Sequence, residues 1–131
     1  MKYTEKVLSK NGLEIKYAFG ITGKDIVMTI GGGQEHIGTV VLAIPRPSLD
    51  GSGKVSSTVS VMNVIGHKDE DVARPLAEAL CKAAQRPAVV IAGIHYDDIG
   101  EAGIETVKKI NDTAVSCVEE WLKELERKGE D

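Results

Sequence analysis

Aromatic side chains are scarce in this sequence: one Trp, one Phe and three Tyr in 131 residues. Proteins that hold single-stranded nucleic acid interleave stacking rings with cations, and too few rings are available here. There is no basic excess either. Sixteen Lys and Arg against twenty Asp and Glu leave a net charge of -4, which offers no attractive field to a phosphate backbone. No apolar run approaches the ~20 residues a membrane-spanning helix needs. Cysteine is limited to Cys81 and Cys117, which form no C-x-x-C pair and fall in helical patterns. Both read as buried, reduced packing residues. The opening MKYTEK is charged and no apolar segment follows it, so no secretory signal is expected and the cytoplasm is the default location.

What is present fits one globular domain over residues 1–131. Apolar residues make up 42% of the chain, and the size suffices to bury a core without disulfides. The stretch KYTEKVLSK-NG-LEIKYAF reads as a hairpin, because Asn11-Gly12 is favoured turn chemistry. Leu13, Ile15, Tyr17 and Phe19 alternate with polar residues, the mark of a strand with one wet face. DIVMTI and HIGTVVLAI are expected as the third and fourth strands. IPRPSLDGSGK is expected as an irregular stretch. VSSTVSVMNVI is expected as a fifth strand, in which small hydroxyl residues alternate with aliphatics. A helix is expected from about Glu70 to Gln85, with Val72, Leu76, Leu80 and Ala83 on its buried stripe and Pro75 near its first turn. AVVIAGI makes a sixth strand. A last helix spans about Glu101 to Lys128, lined by Ile104, Val107, Ile110, Ala114, Val118, Trp121 and Leu125, with residues 127–131 fraying. The order β-β-β-β-β-α-β-α points to an α+β domain on a largely antiparallel mixed sheet with packed helices. The strand–helix–strand unit from Val55 to Ile94 is expected to supply one parallel pair, with strands five and six as neighbours.

Chemistry concentrates where strands end. There are three histidines, and each lies near a glycine: His36 in GGGQEHIG, His67 in IGHKDED and His95 in GIHYDD. Successive glycines at Gly31, Gly32 and Gly33 can present bare N–H groups to an anion, or make an ordinary hairpin loop. No Walker or dinucleotide pattern is present. Asp69 or Asp71 can cap the first helix, and Asp97 or Asp98 the second. If strands five and six are parallel neighbours, His67 and His95 emerge at the same edge, which the glycine loop could reach from the third and fourth strands. Three histidines with nearby aspartates also suit a metal-dependent hydrolase, although no HExxH or other local metal motif occurs. A phosphate site using His67, Lys68 and the glycine loop is a further reading. A nucleophilic triad has no support, since no serine sits on an elbow motif and neither cysteine has a basic neighbour.

HIG, then RPSL, a Ser/Thr-rich strand, GHKD and GIHYDD follow one another from about Gly31 to Ile110. In this order they resemble the prenylated-flavin chaperone family, the LpdD-like proteins also described as the small D subunit associated with gallate-type decarboxylases. The resemblance implies a non-catalytic accessory protein that binds prenylated FMN or FMN transiently, and delivers or matures it for a UbiD-type decarboxylase. A flavin prenyltransferase is implied as a second partner. It implies a fold similar to proteasome-assembly chaperones, often paired as a homodimer, for which the last helix offers a surface. The matching positions are His36 and Gly38, Arg46 and Ser48, Gly66 to Asp69, and Gly93 to Asp98 apart from Tyr96. The expected cofactor-binding set is Gly32, Gly33, His36, Gly38, Arg46, Ser48, His67, Lys68, Asp69, His95 and Asp97. Arg46, between Pro45 and Pro47, would serve as a phosphate fork or as an exposed solubilising charge. A pure assembly module, in which the site is incidental, is the remaining alternative.

Overall fold

The structure is a computed structural model that describes residues 1–64, 66 and 68–128. Six strands and two helices run in the expected order: β1 (Lys2–Lys10), β2 (Leu13–Thr22), β3 (Asp25–Gly33), β4 (Thr39–Pro47), β5 (Val55–Asn63), α1 (Glu70–Ala84), β6 (Ala88–His95) and α2 (Gly100–Lys128). The β1–β2 turn forms at Asn11 and Gly12, with φ of 50° and 79°, the backbone that an Asn-Gly pair adopts without strain.

All six strands join one sheet in the order β1-β2-β3-β6-β4-β5. The single parallel pair is β3 with β6; every other pairing is antiparallel. The expected β5–β6 neighbourhood is therefore corrected. β5 and β6 do run the same way, but β4 lies between them, because β6 inserts between the β1–β3 meander and the β4–β5 hairpin. The carboxyl ends of β3, β5 and β6 and the start of β4 still share one edge of the sheet.

Both helices pack on one face. Ile15, Tyr17, Phe19, Ile26, Met28, Ile30, Val41, Val90 and Ala92 alternate toward them and are buried. The α1 stripe is Val72, Ala73, Leu76, Ala77, Leu80 and Cys81, and a left-handed Gln85 before Pro87 ends that helix. From α2, Val107, Ile110, Ala114, Val118, Trp121 and Leu125 are buried. The Trp121 ring stacks on Phe19 at 5.6 Å and tilts against Tyr17 at 5.5 Å. Ile104, expected in this stripe, is instead 45% exposed. One buried polar chain crosses the layers: Tyr17 Oη donates to Asn111 Oδ1 (3.0 Å), and Asn111 Nδ2 donates to the Val72 carbonyl oxygen (3.1 Å). Burial pushes the Tyr17 phenol well above its usual range. Among the described residues, no helix covers the opposite face of the sheet. There Leu42 (37%), Ile44 (47%) and Met62 (74%) are exposed.

Two strands run further than their sequence suggested. β3 continues through all three glycines, and Gly31, Gly32 and Gly33 pair with Gly93, Ile94 and His95 of β6. They are part of a sheet ladder rather than a loop nest. β4 continues through Arg46 and Pro47, opposite Ser56 and Val55. Beyond Ala43 β4 has β5 as its only partner, the kind of position where a sheet accepts proline.

Candidate functional site

Asp69 organises the shared strand edge. It stands at the start of α1, but its side chain makes no cap hydrogen bond. Instead, Oδ1 accepts the Ile94 N–H at the end of β6 (3.0 Å). Oδ2 faces His36 Nε2 at 3.4 Å, and the Asp69 side chain is only 12% exposed. One carboxylate thus joins the β3–β4 loop, the α1 start and the β6 end. His36 Nδ1 lies 3.2 Å from the Gln34 carbonyl oxygen.

Two glycines permit this approach. A Cβ on Gly38 would sit 1.8 Å from Asp69 Oδ2, and one on Gly93 would sit 1.7 Å from the His36 carbonyl oxygen. The Gly38 N–H donates to the Ala92 carbonyl oxygen (2.9 Å) and the Gln34 N–H to that of His95 (2.8 Å), which pins the loop along β6.

Two clefts open at this edge and share the wall formed by His36 and Ile37. One, of about 320 Å³, is lined by His36, Ile37, Gly38, Val64, Gly66, Lys68, Asp69, Ile94 and His95. The other, of about 380 Å³, lies on the helix-free face, with Ala18, Thr29 and Gly31 among its lining and Tyr3, Glu5, Lys16 and Glu35 around it. By strand register Ala18 and Thr29 are direct cross-strand partners, so part of its floor is small and flat.

The expected site residues divide. His36, Gly38, Lys68, Asp69 and His95 all line the first cleft. His95 Nε2 pairs with Asp97 Oδ1 at 2.9 Å, so Asp97 supports the rim rather than capping α2. Asp98, the other expected cap, takes a positive φ of 54° two residues before that helix. Gly32 and Gly33 belong to β3 beside Tyr96, whose Cε2 and Cδ1 a Cβ at either position would meet. Arg46 and Ser48 are not part of this cleft. They sit at the other end of β4, eight residues or roughly 26 Å of extended strand from Gly38. There Arg46 donates from Nε to Thr58 Oγ1 (3.2 Å) and from a terminal nitrogen to the Pro47 carbonyl oxygen (3.1 Å). His67 lies outside the described residues. Among those described, no three His, Cys, Asp or Glu side chains gather in a metal-binding group. His36 and His95 each face their own aspartate, so among the described residues nothing supports the metal-hydrolase reading.

Sequence reasoning missed three participants. Tyr96 donates its hydroxyl hydrogen to the Glu14 carbonyl oxygen and ties β6 to the first hairpin. Ile37 forms the common wall, and the Ile94 N–H anchors Asp69. An aromatic residue set between His95 and Asp97 was the signal for Tyr96. Nothing in sequence marks a backbone donor.

The fold and this edge define a small α+β domain with an open cleft at the strand ends. The sequence pattern of the prenylated flavin chaperone LpdD-like domain matches residues 9–123. The chain belongs to that family. Among curated proteins, none matches. A solved structure described as a novel chaperone complex for yeast 20S proteasome assembly is similar, with a TM-score of 0.58 and 13% identity over 95% of this chain and 98% of that one. At that identity the likeness concerns the fold alone, and it agrees with the fold that the sequence pointed to.

Proposed function

We propose that this protein binds prenylated FMN, or FMN, transiently at the shared strand edge and passes it to a UbiD-type decarboxylase, taking part as a homodimer and without catalysing a reaction itself. A flavin prenyltransferase is the source that fits such a carrier. The observation that carries this reading is the pair of clefts on either side of His36 and Ile37, in a chain whose family match covers residues 9–123. Each cleft falls within the ~300–1,000 Å³ typical of small-molecule sites.

The donor set suits the ligand. Lys68, His36 and His95 offer cationic or hydrogen-bonding groups to a phosphate, and the Ala18–Thr29 floor accepts the face of a flat ring. Asp69 is a positioning residue, because it holds the His36 loop against β6. The bound flavin would supply its ring chemistry to the decarboxylase, and this chain would contribute binding, orientation and shielding. The helix α2 is a poor pairing surface: its apolar stripe is used against β1, β2 and α1, and the rest is densely charged.

The test is a fluorescence titration of FMN, prenylated FMN and riboflavin with the purified protein. Binding of FMN or prenylated FMN, weakened in Lys68→Ala but little changed for riboflavin, is expected. Unaltered flavin emission at high micromolar protein for all three would sink the reading. In parallel, His36→Ala/His95→Ala should lose flavin yet keep any decarboxylase contact. If that variant still speeds holo-decarboxylase formation as well as the native chain, the protein is an assembly module.

A further inference from the structure

The Ser/Thr-rich strand VSSTVSVMN has no part in the clefts, yet its position is unusual. It is β5, one of the two edges of the sheet. The other edge, β1, carries Lys2, Glu5, Lys6 and Lys10, and Lys6 is held by Glu124 of α2 at 2.5 Å. Charges of that kind discourage a second strand from docking. β5 has none. Over nine residues it contains no Asp, Glu, Lys, Arg, Pro or Gly. An exposed, neutral strand of β-branched and hydroxyl residues is a template for strand addition.

The outward hydrogen-bonding groups can be assigned. The Val64 N–H donates to the Gly38 carbonyl oxygen (2.9 Å), and the Ser48 N–H to that of Lys54 (2.8 Å), at the two ends of the β4–β5 ladder. Both pairs are even-numbered, and in an antiparallel ladder bonded pairs recur every second residue. Even residues of β5 therefore bond inward to β4, and Val55, Ser57, Val59 and Val61 turn their N–H and C=O groups outward.

We infer that β5 is a pairing edge and that its occupant is β5 of a second copy, antiparallel about a two-fold axis at Val59. The strand is complementary to itself in that register. Val59 meets Val59, and Thr58 meets Ser60, a hydroxyl pair. Ser57 meets Val61, and Ser56 meets Met62, so small residues oppose large ones and the exposed Met62 gains cover. No β5 charge enters the seam. Pairing also moves a stranded motif. Ser56 and Arg46 are partners across β4 and β5 within each chain. Opposite Met62, the second copy's Ser56 brings its Arg46 and the loop after it to the sheet edge that holds the first copy's cleft. In a single chain those residues lie at the far edge. The inference is independent of the identity of the ligand.

Sedimentation equilibrium of the full chain tests it. The native protein should behave as a dimer of about 28 kDa, twice its 14.0 kDa mass. Ser57→Pro removes one outward N–H and leaves the β4 ladder intact, so it should weaken pairing about tenfold or more. Leu42→Lys, on the helix-free face but away from the edge, should leave pairing unchanged. Should Ser57→Pro fold poorly, amide exchange on the native chain decides. Ser57, Val59 and Val61 should gain protection as concentration rises. A native monomer at high micromolar concentration, pairing broken by Leu42→Lys but not by Ser57→Pro, or fast exchange at those three amides in the paired state would each overturn it.

Discussion

Asp69→Ala and Asp69→Asn should separate the two jobs of this carboxylate. Alanine leaves the Ile94 N–H, a partly buried donor, without its acceptor. Loss of a hydrogen bond to a charged acceptor, with the donor stranded, costs about 1.5–3 kcal/mol. The contact with His36 adds little, since that imidazole is 46% exposed and such pairs are worth about 0–1 kcal/mol. A carboxylate beside the α1 start contributes a few tenths to about 1 kcal/mol more through the helix dipole. Asp69→Ala should therefore lose about 2–4 kcal/mol. Asparagine keeps an oxygen in place for Ile94 and gives up only the charge, so it should lose about 1 kcal/mol. Urea unfolding at neutral pH measures both, and in thermal scans each kcal/mol should lower Tm by roughly 3–5 °C at this chain length. Equal losses in the two variants would show that the Ile94 bond is not what matters. A loss under about 0.5 kcal/mol for alanine would show that the three segments are held together by something else.

Two further outcomes follow from contacts away from the clefts. Tyr17→Phe should cost about 1–3 kcal/mol in urea unfolding, because Asn111 Oδ1 is left buried without its donor; a change near zero would mean that another group satisfies Asn111. The Lys6 ammonium, through its hydrogen bond, holds the Glu124 carboxyl below the usual carboxylate range. A depressed folded-state value adds stability above the unfolded value, near ~4.3, and that part is lost as pH falls through the folded value. Lys6→Met should thus flatten the acid limb of a Tm-versus-pH curve below about pH 5; an unchanged limb would show that the pair is inert.

Much of the element order was legible because hydrophobic period changes cleanly along this chain. Ile15, Tyr17 and Phe19 alternate, whereas Val72, Leu76 and Leu80 recur every fourth residue. Gly31–Gly33 and Pro45–Pro47 misled because these residues normally punctuate strands. Here the glycines are needed for close passage of the loop and Tyr96, and the prolines fall where β4 has lost one neighbour. The place of β6 could not be read from sequence. Its two sides are chosen by long-range pairing, to which local pattern is blind. That also decided the site. His36, Lys68, Asp69 and His95 line one cleft, but His67, which the edge argument paired with His95, lies outside the described residues, and Arg46 was grouped with them by motif order and ends at the far edge of its own chain. Asp69 was expected as a helix cap and instead spends its oxygens on Ile94 and His36.

The insertion of β6 between β3 and β4 also sets a timetable for synthesis. The meander β1–β3 and the hairpin β4–β5 can each form from neighbouring residues, but no strand pairing joins them until the chain has been made through His95. Until then two half-sheets carry raw inner margins, on β3 and β4, that β6 covers in the finished molecule. Non-local closure of this kind is slow, and unfinished margins are sticky. The nascent chain is therefore at greatest risk of self-association before its sixth strand emerges, and the strand that closes the sheet is the same one that completes the ligand edge.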